Sequence, residues 1–341
     1  MGVGGIGSGL FFALEGNHDL GRNESRPARL EDVRDYCKLH IVAHYPAMLL
    51  GPSFVVLPLG RVGADETGQR VRAEMAAAGM DVRFVEAALG RPTLLSVCFQ
   101  YPDGSGGNLT TTDSAASALT EADVEHAASL LDGRTIALAA PEVPLCVRHR
   151  LLKEATDRGA LRVAAVTSAE MGEATARGFF SSVDVLALNE DEAATLSGVA
   201  FDPTHPEHLL DACARSLTAA QPAIRIVVSA GPHGAFGFAG GRWEHSPSLK
   251  VPVASTAGAG DALLGGLLAA LALGVPFLAE GAARRALKSR PAASALDFGV
   301  LVAAYKVTSR HTIHPDARLA SLLAFAQDHG LSFAESLRRH F

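Results

Sequence analysis

A short glycine-rich segment directly precedes a long uncharged stretch: residues 255–261 read Ser-Thr-Ala-Gly-Ala-Gly-Asp. Small residues let the backbone turn sharply, so that successive N–H groups point outward at a helix start, where the helix dipole favours phosphate oxygens. Asp261 lies at the mouth of this predicted anion hole. A carboxylate there repels bound phosphate, but it is useful as a general base for a hydroxyl that attacks phosphorus. The alternative is a glycine-rich connection whose Asp only caps the helix.

Two further segments place polar residues or glycines at the ends of predicted strands. Residues 189–192 read Asn-Glu-Asp-Glu and follow a strand predicted over 183–188. Residues 228–234 read Val-Ser-Ala-Gly-Pro-His-Gly and end a strand predicted over 224–229. On their own, the first segment is typical of a helix N-cap with acids in the first turn, and the second is typical of a β-turn.

The elements that would position these residues alternate between short apolar runs and helical patterns, which is typical of a parallel sheet flanked by helices. One segment differs, because residues 93–101 alternate by twos, 102–107 form a turn and 108–112 return. This hairpin with one polar face predicts a small sheet that projects from the main domain. The remaining predicted strands are 54–59, 135–140, 161–166, 183–188, 224–229 and 235–239, and the predicted helices are 66–79, 151–158 and 205–220.

The composition predicts a folded chain without a nucleic-acid surface. Hydrophobic residues make up 48% of the 341 residues, charged residues 19%, and the net charge is −6 without a basic cluster. A large core is therefore available, and the clustered Lys and Arg that bind phosphate backbones are missing. The 4 cysteines stand far apart without a CxxC pair, which favours free thiols in a reducing cytoplasm.

Two apolar stretches resemble membrane segments. Residues 10–14 follow no basic residue, so a signal peptide is not expected. Residues 262–279 carry no charge and approach the length of a transmembrane span. Gly274 and Pro276 end a helix within this stretch. We therefore expect a buried helix of about three to four turns in a protein without a membrane partner.

Taken together, these segments resemble the ribokinase-like (PfkB) carbohydrate kinase family. Residues 255–261 are similar to its signature D-T-x-G-A-G-D, 189–192 to N-x-x-E and 228–234 to V-x-x-G-x-x-G. Residues 60–68, which read Gly-Arg-Val-Gly-Ala-Asp-Glu-Thr-Gly, are similar to G-x-V-G-x-D-x-x-G. The four weak motifs occur in the family's order between about residues 54 and 314, and jointly they are a strong signal.

The resemblance implies an α/β fold: a Rossmann-like, doubly wound, mostly parallel sheet with helices on both faces and a small β-sheet lid. It implies ATP-dependent phosphorylation of a hydroxyl on a small sugar or sugar derivative. Asp261 would be the catalytic base, and the amides of Gly258, Ala259 and Gly260 would form the anion hole. Asn189 and Glu192 would help to hold Mg²⁺ through water, as a hard cation favours. The residues implied on the nucleotide side are Asn189, Glu192, Ser229, Gly231, Gly234 and Thr256.

We expect one kinase domain over residues 1–341, with lid segments near 8–30 and 92–113. Lid strands in this family often pair between subunits, so the resemblance also implies a homodimer. The sequence itself does not fix the oligomeric state.

Two departures from the family pattern affect the cation site and the acceptor pocket. The first acid of the signature is Ser255 here, in a region that contributes to a monovalent-cation site in family members, so potassium dependence stays open. The family also has an Asp after its first strand and a G-G-x-x-x-N element on a helix. This chain reads Ser-Gly-Leu-Phe-Phe at 8–12 and Cys-Lys-Leu-His-Ile-Val-Ala-His at 37–44 instead. The groups that normally bind sugar hydroxyls are therefore replaced.

The amino-terminal part of the chain, where these family elements are replaced, is rich in polar side chains, which we take as candidate substrate-binding residues. His40 and His44 are four apart, so they share a helix face with Lys38 in reach. As metal ligands, the two histidines lack an obvious third partner. A solvated helix face is the plainer alternative. The sharper hypothesis is a pocket for an acidic or phosphorylated sugar, whose charge Arg22, Lys38 and the histidines would offset. The candidates are Asn17, Asp19, Arg22, Lys38, His40, His44 and Asn108.

Three other functions compete with a sugar kinase. Residues 2–7 fit the dinucleotide pattern G-x-G-x-x-G, but that fingerprint must follow a strand and open a helix, so hydride transfer is not expected. A nucleoside kinase of the same fold stays open, because the same chemistry serves both substrates. A non-catalytic sugar- or nucleotide-binding member also stays open, although a protein that only binds has no need of a base at the phosphate site.

Overall fold

The computed structural model of this chain describes residues 1–103, 105–279 and 291–340. Within these residues, a nine-stranded sheet forms the centre and a four-stranded sheet forms a separate layer. In spatial order the central strands are β13 (Arg242–Ser246), β12 (Ala235–Ala239), β11 (Arg225–Ser229), β10 (Val185–Asn189), β9 (Leu161–Ala165), β8 (Ile136–Ala139), β1 (Gly2–Val3), β4 (Pro58–Gly63) and β5 (Phe84–Ala88).

The central sheet is parallel from β5 to β11 and antiparallel only at the β12 and β13 edge. Parallel strands need crossover connections, which helices supply. The described helices are α1 (Lys38–Leu50), α2 (Glu66–Ala77), α3 (Glu121–Ala127), α4 (Leu145–Asp157), α5 (Met171–Ala176), α6 (Glu190–Ser197), α7 (Glu207–Ala220), α8 (Ala259–Ala272), α9 (Ala295–Lys306), α10 (Leu319–Asp328) and α11 (Glu335–Arg338).

Helices cover both faces of the central sheet, because successive residues of a strand point to opposite faces. Val163 and Val185 belong to the core cluster that contains α1, α8 and α9. Their chain neighbours Ala164 and Leu186 belong to a second cluster with α6 and α7. Strands buried on both faces read as continuous apolar runs, which is why most of them were predictable from the sequence.

Helix α8 lies in the middle of the molecule and confirms the expected buried helix. Its residues from Ala262 to Ala270 are all buried, and Gly274 follows it at a φ of 77°. Two glycines allow close helix packing: a Cβ on Gly265 would lie 2.7 Å from the Val42 carbonyl oxygen of α1, and one on Gly266 would lie 2.7 Å from the Val302 side chain of α9. None of the described helices is long and apolar enough to cross a membrane.

The four-stranded sheet has one polar and one apolar face. Its spatial order is β3 (Ala28–Tyr36), β2 (Gly7–Leu14), β6 (Leu94–Gln100) and β7 (Gly106–Thr110). Residues that pair directly share a face, so the pairing of Cys98 with Asn108 and of Gly9 with Ser96 defines the polar face. We call this sheet the lid sheet.

The structure confirms the predicted fold class, a mostly parallel central sheet flanked by helices with a small additional sheet. The predicted hairpin is present as β6 and β7, although Gly104 in its turn lies outside the described residues. The strand predicted over 54–59 is wrong in position, since the strand is Pro58–Gly63. Phe54 instead follows a short 3₁₀ turn and Val55 is exposed, so that apolar run was not a buried strand.

Candidate active site

The predicted anion hole lies at the amino-terminal end of α8. Gly258 is the N-cap residue with a φ of 77°, and a Cβ there would lie 2.6 Å from the Thr312 carbonyl oxygen, so only glycine fits. The Ala259 amide donates to the Thr256 carbonyl at 3.0 Å, which closes a turn just before the helix. The first amides of a helix have no partners within it and carry the positive end of its dipole. This helix end can therefore bind an anion.

Asp261 lies in the first turn of α8, where its side chain is 18% exposed and faces Lys38. The Lys38 Nζ, at the start of α1, is 3.7 Å from the Asp261 Oδ1. Asp261 raises the pKa of Lys38 above its usual range, against the opposing effect of burial. The lysine therefore stays charged near neutral pH and lies within ion-pair distance of the Asp261 carboxylate.

Glu142 is a second acid at this site that the sequence interpretation missed. It follows β8 with a φ of 74°, a left-handed conformation shown by no other non-glycine residue of the described chain. Its Oε2 accepts a hydrogen bond from the Lys38 backbone amide at 3.0 Å, and burial raises its pKa to about 7. Strained backbone of this kind concentrates at functional sites. Its position at the carboxyl end of a predicted strand was the available signal.

Asp35 is a third acid, contributed by the end of lid strand β3 and also missed. It is 6% exposed, and its Oδ2 accepts from the Cys98 thiol at 3.4 Å. Burial raises its pKa, and the negative charge of Asp261 acts in the same direction. The sequence interpretation looked for an acid directly after the first strand. The structure places this acid three residues before Lys38 instead, on the polar face of the lid sheet.

A large cleft lies on the other side of the glycine-rich segment. It has a volume of about 1230 Å³ and extends from the turn after β11 to α8 and α9. Its walls are largely apolar, with Val251, Leu263 and Val300 among them, and Phe236 stacks on His245 at one wall with ring centroids 4.4 Å apart. Six of the predicted nucleotide-side and anion-hole positions line it: Ser229, Gly231, Gly234, Thr256, Ala259 and Gly260.

The predicted magnesium residues form a helix cap at the start of α6. The Asn189 Oδ1 accepts from the Glu192 amide at 2.7 Å, and the Glu192 Oε2 accepts from the Asn189 amide at 2.8 Å. Burial raises the pKa of Glu192 to about 7, and Asp261 contributes in the same direction. Asn189 and Glu192 therefore form the helix N-cap that the plainer interpretation of the sequence predicted.

Apart from the two histidines, the candidate substrate residues fall into two groups. Lys38 lies beside Asp261, and Asn108 lies on the polar face of the lid sheet, where its Oδ1 accepts from the Ser96 hydroxyl at 2.6 Å. Asn17, Asp19 and Arg22 are exposed in the connection between β2 and β3. There the Asn17 Oδ1 accepts from the Asp103 amide at 3.1 Å, which places this connection beside the β6–β7 turn.

The two histidines do not support the charge argument made for an acidic sugar. His40 is 1% exposed, and its ring lies 4.3 Å from that of Tyr36. Burial lowers the pKa of His40 to about 3 and that of His44 to about 4. Both are therefore neutral near pH 7 and cannot offset a negative charge. No group of three or more potential metal-ligating side chains occurs in the described part of the chain.

Solved structures of low sequence identity share this fold. A ribokinase from Giardia lamblia has a TM-score of 0.76 at 14% identity, over 95% of this chain and 98% of its own. A Burkholderia thailandensis nucleoside kinase in complex with inosine has 0.72 at 16%, over 97% and 99%. An Arabidopsis thaliana ribokinase complexed with ribose and ATP has 0.69 at 18%, over 95% and 96%. The fold is therefore that of the ribokinases, as the sequence resemblance implied.

The sequence match is more specific than the shared fold. Residues 46–318 match the profile of the pfkB family carbohydrate kinases, whereas no curated protein matches the chain. Because the match spans most of its length, the chain belongs to the PfkB family of carbohydrate kinases. It is a kinase that transfers phosphate to a hydroxyl group.

Proposed function

We propose that this chain transfers the γ-phosphoryl group of ATP to a hydroxyl of a small sugar or sugar derivative, with Asp261 as general base. The observation that carries the proposal is the position of Asp261. It lies between the large cleft, lined by Gly260 and Thr256, and a group of polar side chains that includes Lys38. A base in that position can reach a hydroxyl on one side while a phosphate occupies the anion hole on the other.

The proposed reaction has one proton transfer and one displacement. The acceptor hydroxyl gives its proton to the Asp261 carboxylate while its oxygen attacks the γ-phosphorus. The bond from phosphorus to the bridging oxygen of ATP breaks, and ADP leaves. The amides of Gly258, Ala259 and Gly260 would stabilise the charge on the transferring group, because preorganised donors act strongly where water is excluded. Lys38 would orient the Asp261 carboxylate through its ion pair.

The nucleotide would occupy the large cleft. Its volume of about 1230 Å³ is sufficient for ATP, and its apolar walls suit an adenine ring. Two ribokinases of similar fold have been solved with nucleotides: that of Arabidopsis thaliana is complexed with ribose and ATP, and that of Cryptococcus neoformans is in complex with ADP. These complexes support ATP as the phosphoryl donor here.

The residues at the site fit a magnesium ion held mostly by water and phosphate. Three carboxyl groups, those of Glu192, Asp261 and Glu142, lie near the single ammonium group of Lys38, and burial raises the pKa of Glu192 to about 7. Mg²⁺ bound to nucleotide phosphates typically uses only one or two protein carboxylates. Asn189 and Glu192 would hold it through water, and the ion would neutralise charge on the phosphates.

The acceptor would bind beneath the polar face of the lid sheet. We propose that this sheet belongs to a single kinase domain, whose lid segments lie near 8–30 and 92–113. Asp35 and Ser96 are buried there, and Asn108 lies beside them. Carboxylates and amides suit the hydroxyls of a neutral sugar better than a second negative charge. The ribose complex of a ribokinase and the inosine complex of a nucleoside kinase share this fold, so both acceptor classes belong in the test.

The test is Mg²⁺-dependent ATP consumption with neutral sugars, sugar acids, sugar phosphates and nucleosides, run with wild type and Asp261→Asn. We expect turnover of a neutral sugar and a fall in kcat of about a hundredfold or more in the variant, the usual effect of removing a positioned base. ATP affinity should stay within a few-fold, as measured by calorimetry. Full activity of Asp261→Asn would contradict the mechanism.

The panel also separates the alternatives. Turnover of nucleosides alone would identify a nucleoside kinase, while preference for sugar acids or sugar phosphates would support the pocket for an acidic or phosphorylated sugar. ATP binding without turnover of any acceptor would favour the non-catalytic member. Exposed Glu121→Gln, in the first turn of α3, is the matched control for loss of a carboxylate and should behave as wild type.

A further inference from the structure

One charged side chain near the anion hole has no role in the mechanism above. Lys306, the last residue of α9, is fully buried. Its Nζ donates a hydrogen bond to the Ser255 carbonyl oxygen at 2.9 Å. No carboxylate of the described residues lies within ion-pair distance of this ammonium group. Buried lysines without a paired carboxylate are rare, because transfer of the charge out of water is unfavourable.

The interactions of the ammonium group offset only part of the cost of its burial. Burial lowers the pKa of Lys306 to about 8, while the charges of Asp35 and Asp261 act in the opposite direction but do not restore the usual value. His311 and His314, in the segment that follows α9, also lie within electrostatic range of the ammonium group. At neutral pH the group is therefore charged, and its charge lowers the stability of the fold. A side chain with this cost is expected to serve function.

Ser255 is the first residue of the segment that forms the anion hole, and α9 holds it from two directions. The amides of Ala254 and Ser255 donate to the Val307 carbonyl at 2.8 and 3.3 Å, while the Lys306 ammonium group binds the Ser255 carbonyl. The other end is held at Gly258, which packs against Thr312. The residues just after α9 thus fix both ends of the turn that places Gly258, Ala259 and Gly260.

We propose that Lys306 is a positioning residue for phosphoryl transfer, whose ammonium group acts as a fixed internal cation beneath the anion hole. It binds the Ser255 carbonyl, orders the segment 255–258 and adds positive charge behind the site where the transferring phosphoryl group is stabilised. The inference rests on the proposed function, because it assigns the anion hole to that group. It predicts that a free cation of similar size can replace the side chain when the side chain is removed.

The test compares Lys306→Ala, which leaves a cavity, with Lys306→Met, which fills it without a charge. Both should lower kcat by about tenfold to a hundredfold, since small displacements of a catalytic segment have effects of this size. The KM for ATP should change less. Ammonium chloride, and methylammonium chloride as a second probe, should restore part of the kcat of Lys306→Ala at concentrations that leave Lys306→Met and wild type unchanged. Choline chloride at equal ionic strength controls for salt.

Thermal unfolding separates positioning from a merely structural role. A structural lysine should lower the melting temperature when replaced, whereas we expect Lys306→Met to be as stable as wild type or more so, while still impaired. Arg310→Met removes an exposed positive charge four residues further on, where Arg310 pairs with Asp32, and should leave kcat unchanged. Wild-type kcat in Lys306→Met, or equal ammonium responses in all three proteins, would overturn the inference.

Amide hydrogen exchange of residues 255–260 provides a readout that does not depend on turnover. We expect faster exchange of these amides in Lys306→Met and in Lys306→Ala, with ammonium slowing it only in the alanine variant. If wild type phosphorylated no acceptor, the proposed function would fail while this measurement would still decide the inference. Unchanged exchange in both variants would reject it.

Discussion

Asp261 shares its surroundings with three carboxyl groups, whose pKa values are raised mainly by burial and further by the charge of Asp261. Asp35 comes from the lid sheet, Glu142 from the end of β8 and Glu192 from the start of α6. Burial raises the pKa of each, to about 7 for both glutamates. Lys38 is the nearby cation that offsets part of this charge. Under the proposed function, Mg²⁺ that arrives with the nucleotide would offset part of this negative charge.

A pH dependence of stability follows for Glu142. Its pKa is about 7 in the folded chain, against an ordinary value of 4.5. Between these values the folded state holds a proton that the unfolded state has released, so this group makes stability fall as pH rises from 4.5 to 7. In Glu142→Gln this contribution disappears. The variant should gain stability relative to wild type, on the order of 1 kcal/mol, between pH 5 and pH 8.

The measurement is urea unfolding of both proteins at several pH values in this range. Glutamine keeps an oxygen that can accept from the Lys38 amide, so the local hydrogen bond is preserved. Exposed Glu121→Gln again provides the control and should follow the wild-type curve. Parallel stability curves for wild type and Glu142→Gln would show that the folded-state pKa of Glu142 is not raised.

At the scale of elements, the sequence predicts those parts of the site that are continuous in the chain. The segment 255–261 was identifiable because small residues, an acid and an apolar helix follow one another in the sequence. Asn189 and Glu192 were identifiable because a helix N-cap pattern directly follows a predicted strand. Asp35, Glu142 and Lys306 were not identifiable, because each approaches Asp261 only through pairing between distant elements. Asp35 depends on the register of β2 and β3, which the chain shifts between Gly9 and Phe11.

The turn into α8 predicts opposite behaviour for two neighbouring glycines. Gly258→Ala must place a side chain at a φ of 77° and 2.6 Å from the Thr312 carbonyl, so we expect a loss of about 2 kcal/mol of stability or more. Gly260→Ala meets only the Ser229 hydroxyl oxygen, at 3.8 Å, and alanine favours a helix by up to about 1 kcal/mol. Gly260→Ala should therefore be as stable as wild type.

The same pair separates stability from activity. The methyl group of Gly260→Ala would project at the cleft where phosphate approaches the helix end, so we expect at least about a tenfold loss of kcat/KM for ATP despite a normal fold. Thermal unfolding and ATP kinetics on both variants check this. Unimpaired kinetics in Gly260→Ala would mean that the amide of this residue does not contact the transferring phosphoryl group.

At the scale of the whole molecule, the lid sheet separates its polar face, where we propose that the acceptor binds, from an exposed apolar surface. Opposite the polar face, Leu10, Val97 and Leu109 align across β2, β6 and β7, and Leu30 pairs with Phe12. Leu10, Leu30 and Leu109 are 41%, 58% and 66% exposed. Exposed apolar faces and unpaired edge strands are commonly covered by another chain. A second copy of the lid sheet is the partner that the family resemblance implies.

We therefore predict a homodimer in solution that depends on this apolar face. Leu30→Glu combined with Leu109→Lys should convert the protein to a monomer in sedimentation velocity at micromolar concentration, because burying unpaired charges in an apolar interface is unfavourable. Leu89→Glu, at a position 88% exposed after β5 and away from the lid sheet, is the matched control and should remain dimeric. Monomeric wild type, or a dimer that survives the double substitution, would assign this face to another partner. Since the opposite face of the same sheet carries Asp35, loss of the dimer should also raise the KM for the acceptor more than the KM for ATP.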